Sequence, residues 1–194
     1  MSAQATENVW DKIWTQPDGW YPNEFIVRFL SKYVRRRVDI KDYEVHRPDV
    51  RRVLDLGCGP GRHIVMLARE GYETRGIDIS EKAIAFAGRW LEKEGLKADL
   101  RVGSSTQLPW VDQSIDAVIS HGVLDHMRYE DARQTIREVE RVLKPNGLLY
   151  VDLVSTKESG YGKGREIAPF TFEIPDGEEA GAVQRFFERD HVFE

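Results

Sequence analysis

Between about residues 50 and 155 the apolar positions switch repeatedly between two spacings. Short runs with Val, Ile or Leu fall at about 52–56, 73–78, 98–102, 115–119 and 148–154, most apolar in the first, fourth and fifth. Their length and β-branched content predict strands. Between them, apolar residues recur at helical steps. The sets are Ile64, Val65, Leu67 and Ala68; then Ile84, Ala87 and Leu91; then Ala132, Ile136, Val139 and Leu143. Gly71 and Gly95 stand where helices stop, Ser80 stands where one starts, and Lys144-Pro145-Asn146-Gly147 signals a turn. Strands that alternate with helices predict a parallel sheet covered on both faces and joined by right-handed crossovers.

The flanks follow other patterns. Residues 1–8 read as a frayed terminus. Trp10, Trp14, Trp20, Tyr21, Phe25, Phe29 and Tyr33 make the stretch 9–34 aromatic. Trp10 and Trp14 share a helical face, Pro17-Asp18-Gly19 breaks it, and Phe25, Phe29 and Leu30 predict a second short helix. The rings read first as core. Residues 32–52 interleave arginines with acids, as on a solvated face. Beyond 155, Tyr161-Gly162-Lys163-Gly164-Arg165 reads as a loop, Phe170, Phe172 and Ile174 as a short strand, and Ala182 to Glu194 as a helix.

Chemistry concentrates at Val53-Leu54-Asp55-Leu56-Gly57-Cys58-Gly59-Pro60-Gly61-Arg62-His63, a strand that runs through three glycines into a helix. Such a turn is where an open α/β sheet meets its ligand. A dinucleotide fingerprint requires a third glycine where Arg62 stands, and no phosphate-loop lysine follows. Asp78 ends the second strand, the place where Rossmann-like folds set an acid on ribose hydroxyls. A carboxylate can accept both hydrogen bonds of a vicinal diol. Cys58 can pack in the tight loop or serve as a nucleophile.

The glycine stretch resembles motif I of the class I S-adenosylmethionine (SAM)-dependent methyltransferases. Three later segments follow the same family: Gly76-Ile77-Asp78-Ile79-Ser80, Gly103-Ser104-Ser105-Thr106-Gln107-Leu108-Pro109-Trp110, and Ser120-His121-Gly122-Val123-Leu124-Asp125-His126. The resemblance spans residues 50–155. It implies a Rossmann-like doubly wound α/β sheet of strand order 3-2-1-4-5, with the family's C-terminal hairpin reduced or missing. It implies a single domain over 1–194: an N-terminal helical lid (1–48), the core (50–155) and a C-terminal extension (156–194). The implied cofactor is SAM, with S-adenosylhomocysteine as product. The implied contacts are Asp55, Gly57, Cys58, Gly59, Gly61, Arg62, Asp78, Ile79, Ser104, Ser105, Thr106, His121 and Gly122. Ser104 replaces the family's usual acid beside adenine. Trp14, Trp20 and Tyr21 are the lid candidates for the acceptor's mouth. His126 can orient an acceptor or take its proton, because imidazole titrates near neutrality. Asp116 reads as structural.

Net charge is −5, which gives no footprint for nucleic acid. No signal peptide or membrane-length apolar run is visible, and one cysteine excludes a disulfide framework. No metal-ligand spacing stands out. The expectation is a cytoplasmic methyltransferase that acts on a small-molecule acceptor. The alternatives are a SAM-binding protein without independent catalysis and an enzyme acting on nucleic acid or protein. An uncovered fifth strand predicts a homo-oligomer through the sheet edge.

Overall fold

Residues 9–12 and 21–189 are described by the computed structural model. Trp14 and Trp20, two of the lid candidates, therefore lie outside the described residues.

The five parallel strands form where the apolar runs predict them. They are β3 (Arg52–Leu56), β4 (Glu73–Asp78), β5 (Asp99–Val102), β6 (Ile115–Ser120) and β7 (Leu143–Val151), in the order β5-β4-β3-β6-β7. Counted along the parallel strands alone, this is the expected 3-2-1-4-5. Neighbours on β3 serve opposite faces, because side chains alternate across a strand. Val53 joins Ile26, Leu30, Val34, Leu67 and Ile119 on one face, while Leu54 and Leu56 join Ile77, Val118, Val139 and Val142 on the other.

Among the described residues, these faces are covered by α1 (Glu24–Tyr33), α2 (Arg62–Arg69), α3 (Glu81–Lys93) and α4 (Tyr129–Val142). Caps fix three of their ends. The Asn23 carboxamide oxygen accepts from Phe25 N–H at 2.9 Å and starts α1. Ser80 Oγ accepts from Ala83 N–H at 3.1 Å and starts α3. Gly71, at φ +80°, lets the chain leave α2.

Asp116, inside β6, ties together the starting ends of the central strands. Its carboxylate accepts from Arg51 N–H (2.9 Å) and Arg52 N–H (2.7 Å) and pairs with Lys144 Nζ at 2.5 Å. The turn predicted at 144–147 is a break inside β7. Ile115 pairs with Leu143 and Ala117 with Leu148, so the intervening residues bulge out. Asn146 takes φ +62°, and a Cβ on Gly147 would lie 2.9 Å from Lys144 O.

The charged stretch holds a hairpin, β1 (Arg35–Arg37) against β2 (Tyr43–Val45). Its charges pair locally, Arg36 with Glu44 at 2.6 Å and Arg37 with Glu70 at 2.9 Å. Exposed pairs of this kind contribute little to stability, because solvent screens them.

The C-terminal segment corrects one expectation. The helix predicted from Ala182 contains a strand, β10 (Val183–Arg185), which joins β9 (Thr171–Glu173) and β8 (Arg165–Ala168) in an antiparallel sheet. Val183 and Arg185 are buried and Gln184 is less so, which is the two-residue alternation of a strand. Apolar residues on both sides of this short run fit either period, and ladder bonds to β9 decide it. Tyr161, Phe172 and Phe186 pack edge to face beneath this sheet. The small sheet stands over the ends of β6 and β7, not beside β7. Among the described residues, β7 therefore remains the edge of the parallel sheet. No described helix is long and apolar enough to cross a membrane.

Candidate functional site

The glycine turn folds as it does because side chains would not fit. Gly57 has φ +67°, and a Cβ there would sit 2.3 Å from Val123 Cγ2. Gly61 has φ +95°, and its Cβ would meet Ala87 of α3 at 2.8 Å. Both glycines thus let the loop press against its neighbours. Gly61→Ala is expected to lose about 2 kcal/mol or more of stability through left-handed strain and overpacking, read as a lowered urea midpoint.

Beyond the turn, Asp78 organises the end of β4. Its two carboxylate oxygens accept from Gly59 N–H at 2.8 Å and Ser80 N–H at 2.9 Å. Each oxygen keeps a second lone pair, so the group can still receive a diol. Burial raises its carboxyl above the ordinary aspartate range. The two N–H donors partly offset this, while Asp55 and Asp11 push in the same direction as burial. Asp55, 1% exposed, is the next-to-last residue of β3, and its Oδ2 makes no hydrogen bond, with His63 Nδ1 3.6 Å away. Cys58 is buried, and burial first, then the charges of Asp55 and Asp78, push its thiol well above the ordinary value. That favours the packing reading over the nucleophile.

The other predicted contacts lie at the loops that follow β3, β4 and β5. Arg62 opens α2 and Ile79 follows Asp78, both half-buried. Ser104 is exposed and its hydroxyl pairs with that of Thr106 at 2.7 Å. Ser105 is buried and turns its hydroxyl toward Thr135 of α4 at 3.0 Å. The loop carrying them is held by Arg141, whose guanidinium donates to Leu108 O (2.9 Å) and Trp110 O (2.8 Å) and pairs with Glu138 and Asp112. Arg141→Ala is expected to cost about 2 kcal/mol in denaturant unfolding, because two carbonyls and Glu138 lose their partner.

Sequence reasoning missed the polar chain that joins the crevice to a second space. Asn23 N–H donates to His63 Nε2 at 3.1 Å, so the neutral His63 ring carries its proton on Nδ1, 3.6 Å from Asp55 Oδ2. Because Asn23 Oδ1 caps α1, its amide nitrogen faces His121 Nε2, at 3.2 Å. His121 Nε2 must then accept, and its Nδ1–H donates to Asp152 Oδ2. Asp152 also accepts from Gly122 N–H at 2.9 Å. Burial would raise the Asp152 carboxyl, but the hydrogen bonds from His121 and Gly122 bring it below the ordinary range. The rings of His63 and His121 lie 5.9 Å apart. An acid inside the apolar run Tyr150-Val151-Asp152-Leu153-Val154 was the available signal for Asp152.

His121, Gly122 and Asp152 open onto a cavity of about 710 Å³ between the end of the parallel sheet and the small C-terminal sheet, within the usual range for small-molecule sites. Phe25, Tyr150 and Phe186 give it apolar walls. His126 does not line it. Its Nδ1–H donates to Val183 O at 2.9 Å, and the Trp10 ring packs edge-on against it at 4.8 Å. Asp11, next to Trp10, accepts from Ser80 Oγ at 2.6 Å. Residues 9–12 thus touch both the Asp78 side and the His126 side of the crevice. Tyr21, the remaining lid candidate, is 85% exposed.

A glycine turn at the switch point of a parallel sheet, followed by an acid at the end of the next strand, is the arrangement of the class I methyltransferase fold. Residues 54–151 match the family described as "Methyltransferase domain", and the chain belongs to that family of SAM-dependent methyltransferases. It is 34% identical over 121 residues to the putative methyltransferase YqeM of Bacillus subtilis, covering 58% of this chain and 46% of that one. It is 30% identical over 178 residues to the ubiquinone biosynthesis O-methyltransferase of Agrobacterium fabrum, covering 89% and 66%. Among solved structures, a SAM-dependent methyltransferase from Methanosarcina mazei superposes with a TM-score of 0.66 at 28% identity, covering 74% of this chain and 76% of that one. The chain spans about half to two thirds of the length of these two curated relatives.

The family implies SAM as cofactor, and the crevice fits it chemically. Asp78 can receive the ribose hydroxyls. The Asp55 carboxylate, buried behind the turn, adds negative charge that would favour an ammonium or sulfonium nearby.

Proposed function

We propose that the chain transfers a methyl group from SAM, held between Asp55, the glycine turn and Asp78, to an oxygen of a small molecule held in the adjoining cavity. The observation that carries this reading is the shared wall. His63 faces Asp55 on the cofactor side, His121 faces the cavity, and Asn23 bonds both. The two spaces thus adjoin along this chain of side chains, and the reading requires that they open to each other beside it, where direct alignment of methyl and acceptor oxygen can supply about 7–11 kcal/mol of barrier reduction. The likeness to a relative named as an O-methyltransferase supports oxygen as the nucleophile. In this reading SAM supplies the electrophilic methyl, the chain's residues bind and orient both partners, and residues 9–12, which touch Ser80 and His126, flank the cofactor. Glu158 and Asp176 add to Asp125 and Asp152 around the cavity, against a single lysine, Lys163, which favours an uncharged acceptor over a carboxylate. The test is calorimetric titration with SAM, followed by an assay for S-adenosylhomocysteine release across neutral hydroxyl compounds. Binding with turnover is expected, and absence of SAM binding would sink the reading.

A further inference from the structure

We infer that His121, oriented by Asp152, is the general base that removes the acceptor's hydroxyl proton; this rests on the oxygen-transfer reading above. The inference follows from how the hydrogen bonds fix one tautomer. The cap that starts α1 uses Asn23 Oδ1, so only the amide nitrogen is left to face His121. A donor there requires a lone pair on His121 Nε2. The Nδ1 proton is then committed to Asp152, whose carboxylate is itself held by Gly122 N–H and the Tyr150 hydroxyl. The result is a neutral imidazole with its basic nitrogen at the cavity wall and an anion behind it to stabilise the imidazolium that proton transfer creates. Asn23 Nδ2, at 3.2 Å, marks where an acceptor hydroxyl would donate instead. His126 lacks this arrangement, because it lies outside the cavity lining and under Trp10.

The step balances without any further reagent. The acceptor oxygen forms its bond to the methyl carbon as the carbon–sulfur bond breaks, and that electron pair neutralises the sulfonium. The hydroxyl proton moves to His121 Nε2, giving an ether, the thioether product and an imidazolium that later returns its proton to solvent. Asp152 acts through His121 and is a positioning residue.

Two catechols of different acidity separate base catalysis from packing. 4-Methylcatechol has a pKa near that of tyrosine, about 10, and needs a base at neutral pH. 4-Nitrocatechol is largely ionised there and does not. His121→Gln is expected to lower kcat on 4-methylcatechol by about 10²–10³-fold, but on 4-nitrocatechol by less than about tenfold, with SAM affinity retained. Asp152→Asn should show a smaller loss with the same dependence on the acceptor. Equal losses on both catechols, or a loss of turnover that follows a loss of SAM affinity, overturn the assignment. A wild-type protein that binds SAM but methylates neither catechol also overturns it, whereas one that does not bind SAM refutes the underlying reading instead. If His121→Gln does not fold, the wild-type protein with S-adenosylhomocysteine still tests the proposal. 4-Nitrocatechol should bind as its coloured anion at a pH where the free compound is mostly neutral. Binding in the neutral form alone overturns the proposal.

Discussion

Replacing Asp78 with alanine is expected to weaken SAM binding about a hundredfold or more in calorimetric titration. Two hydrogen bonds from a ribose diol to an ionised acceptor each contribute about 1.5–3 kcal/mol, and about 2.7 kcal/mol already corresponds to a hundredfold. The group is also poised before any ligand arrives. Gly59 and Ser80 N–H hold the carboxylate in one orientation, so little rotamer entropy remains to be lost on binding. The same two donors lose their acceptor in the variant, so a modest fall in the midpoint of unfolding should accompany the binding defect. Asp78→Asn separates the two effects. It keeps a side chain of the same shape but only one acceptor oxygen, and should retain more stability than affinity. An unchanged SAM affinity in the alanine variant would remove Asp78 from the proposed site.

Asp116→Ala is expected to cost about 3 kcal/mol of stability near neutral pH. The substitution strands two backbone donors, Arg51 N–H and Arg52 N–H, and leaves Lys144 without its partner at the start of the sheet. Its pH dependence carries a definite sign. Burial alone would raise the Asp116 carboxyl, but Lys144 and the two N–H groups bring it below the ordinary aspartate value. A carboxyl depressed in the folded state adds stability above its unfolded pKa, about 3.9, and that contribution is lost as pH falls through the lower folded value. The gap in melting temperature between wild type and Asp116→Asn should therefore be widest at neutral pH and close progressively below about pH 4. A gap that widens on acidification would contradict the geometry. No effect on SAM affinity is expected, since Asp116 lies in β6 against the start of β3, at the end opposite the glycine turn.

What the chain revealed before its structure depended on how local the signal was. The order of the parallel strands, the caps at Ser80 and Gly71 and the structural role of Asp116 follow from periodicity, from residues that have one good use at a helix end, or from family likeness. The strand at 183–185 did not, because its pattern fits helix and strand alike and pairing with β9 decided it. The break at 144–147 was legible as a turn but not as a bulge inside a strand, since that depends on register with β6. In the candidate site, the glycine turn and Asp78 are contiguous in sequence with recognisable neighbours. Asn23, His63, His121 and Asp152 come from four distant segments. Only the packing of α1 across the sheet, where Phe29 meets Tyr150 at 5.5 Å, brings Asn23 to the histidines.

Cys58 gives the protein a built-in reporter of motion at this site. It is the sequence's one thiol, sealed within the glycine turn with its proton held tightly by burial. An alkylating reagent can reach it only when α2, α3 and the loop separate, so the labelling rate measures the population of that opened form. Anything that binds the closed loop should slow labelling in proportion to its occupancy. A chase with iodoacetamide would thus read ligand engagement without an acceptor, a product or a label on SAM.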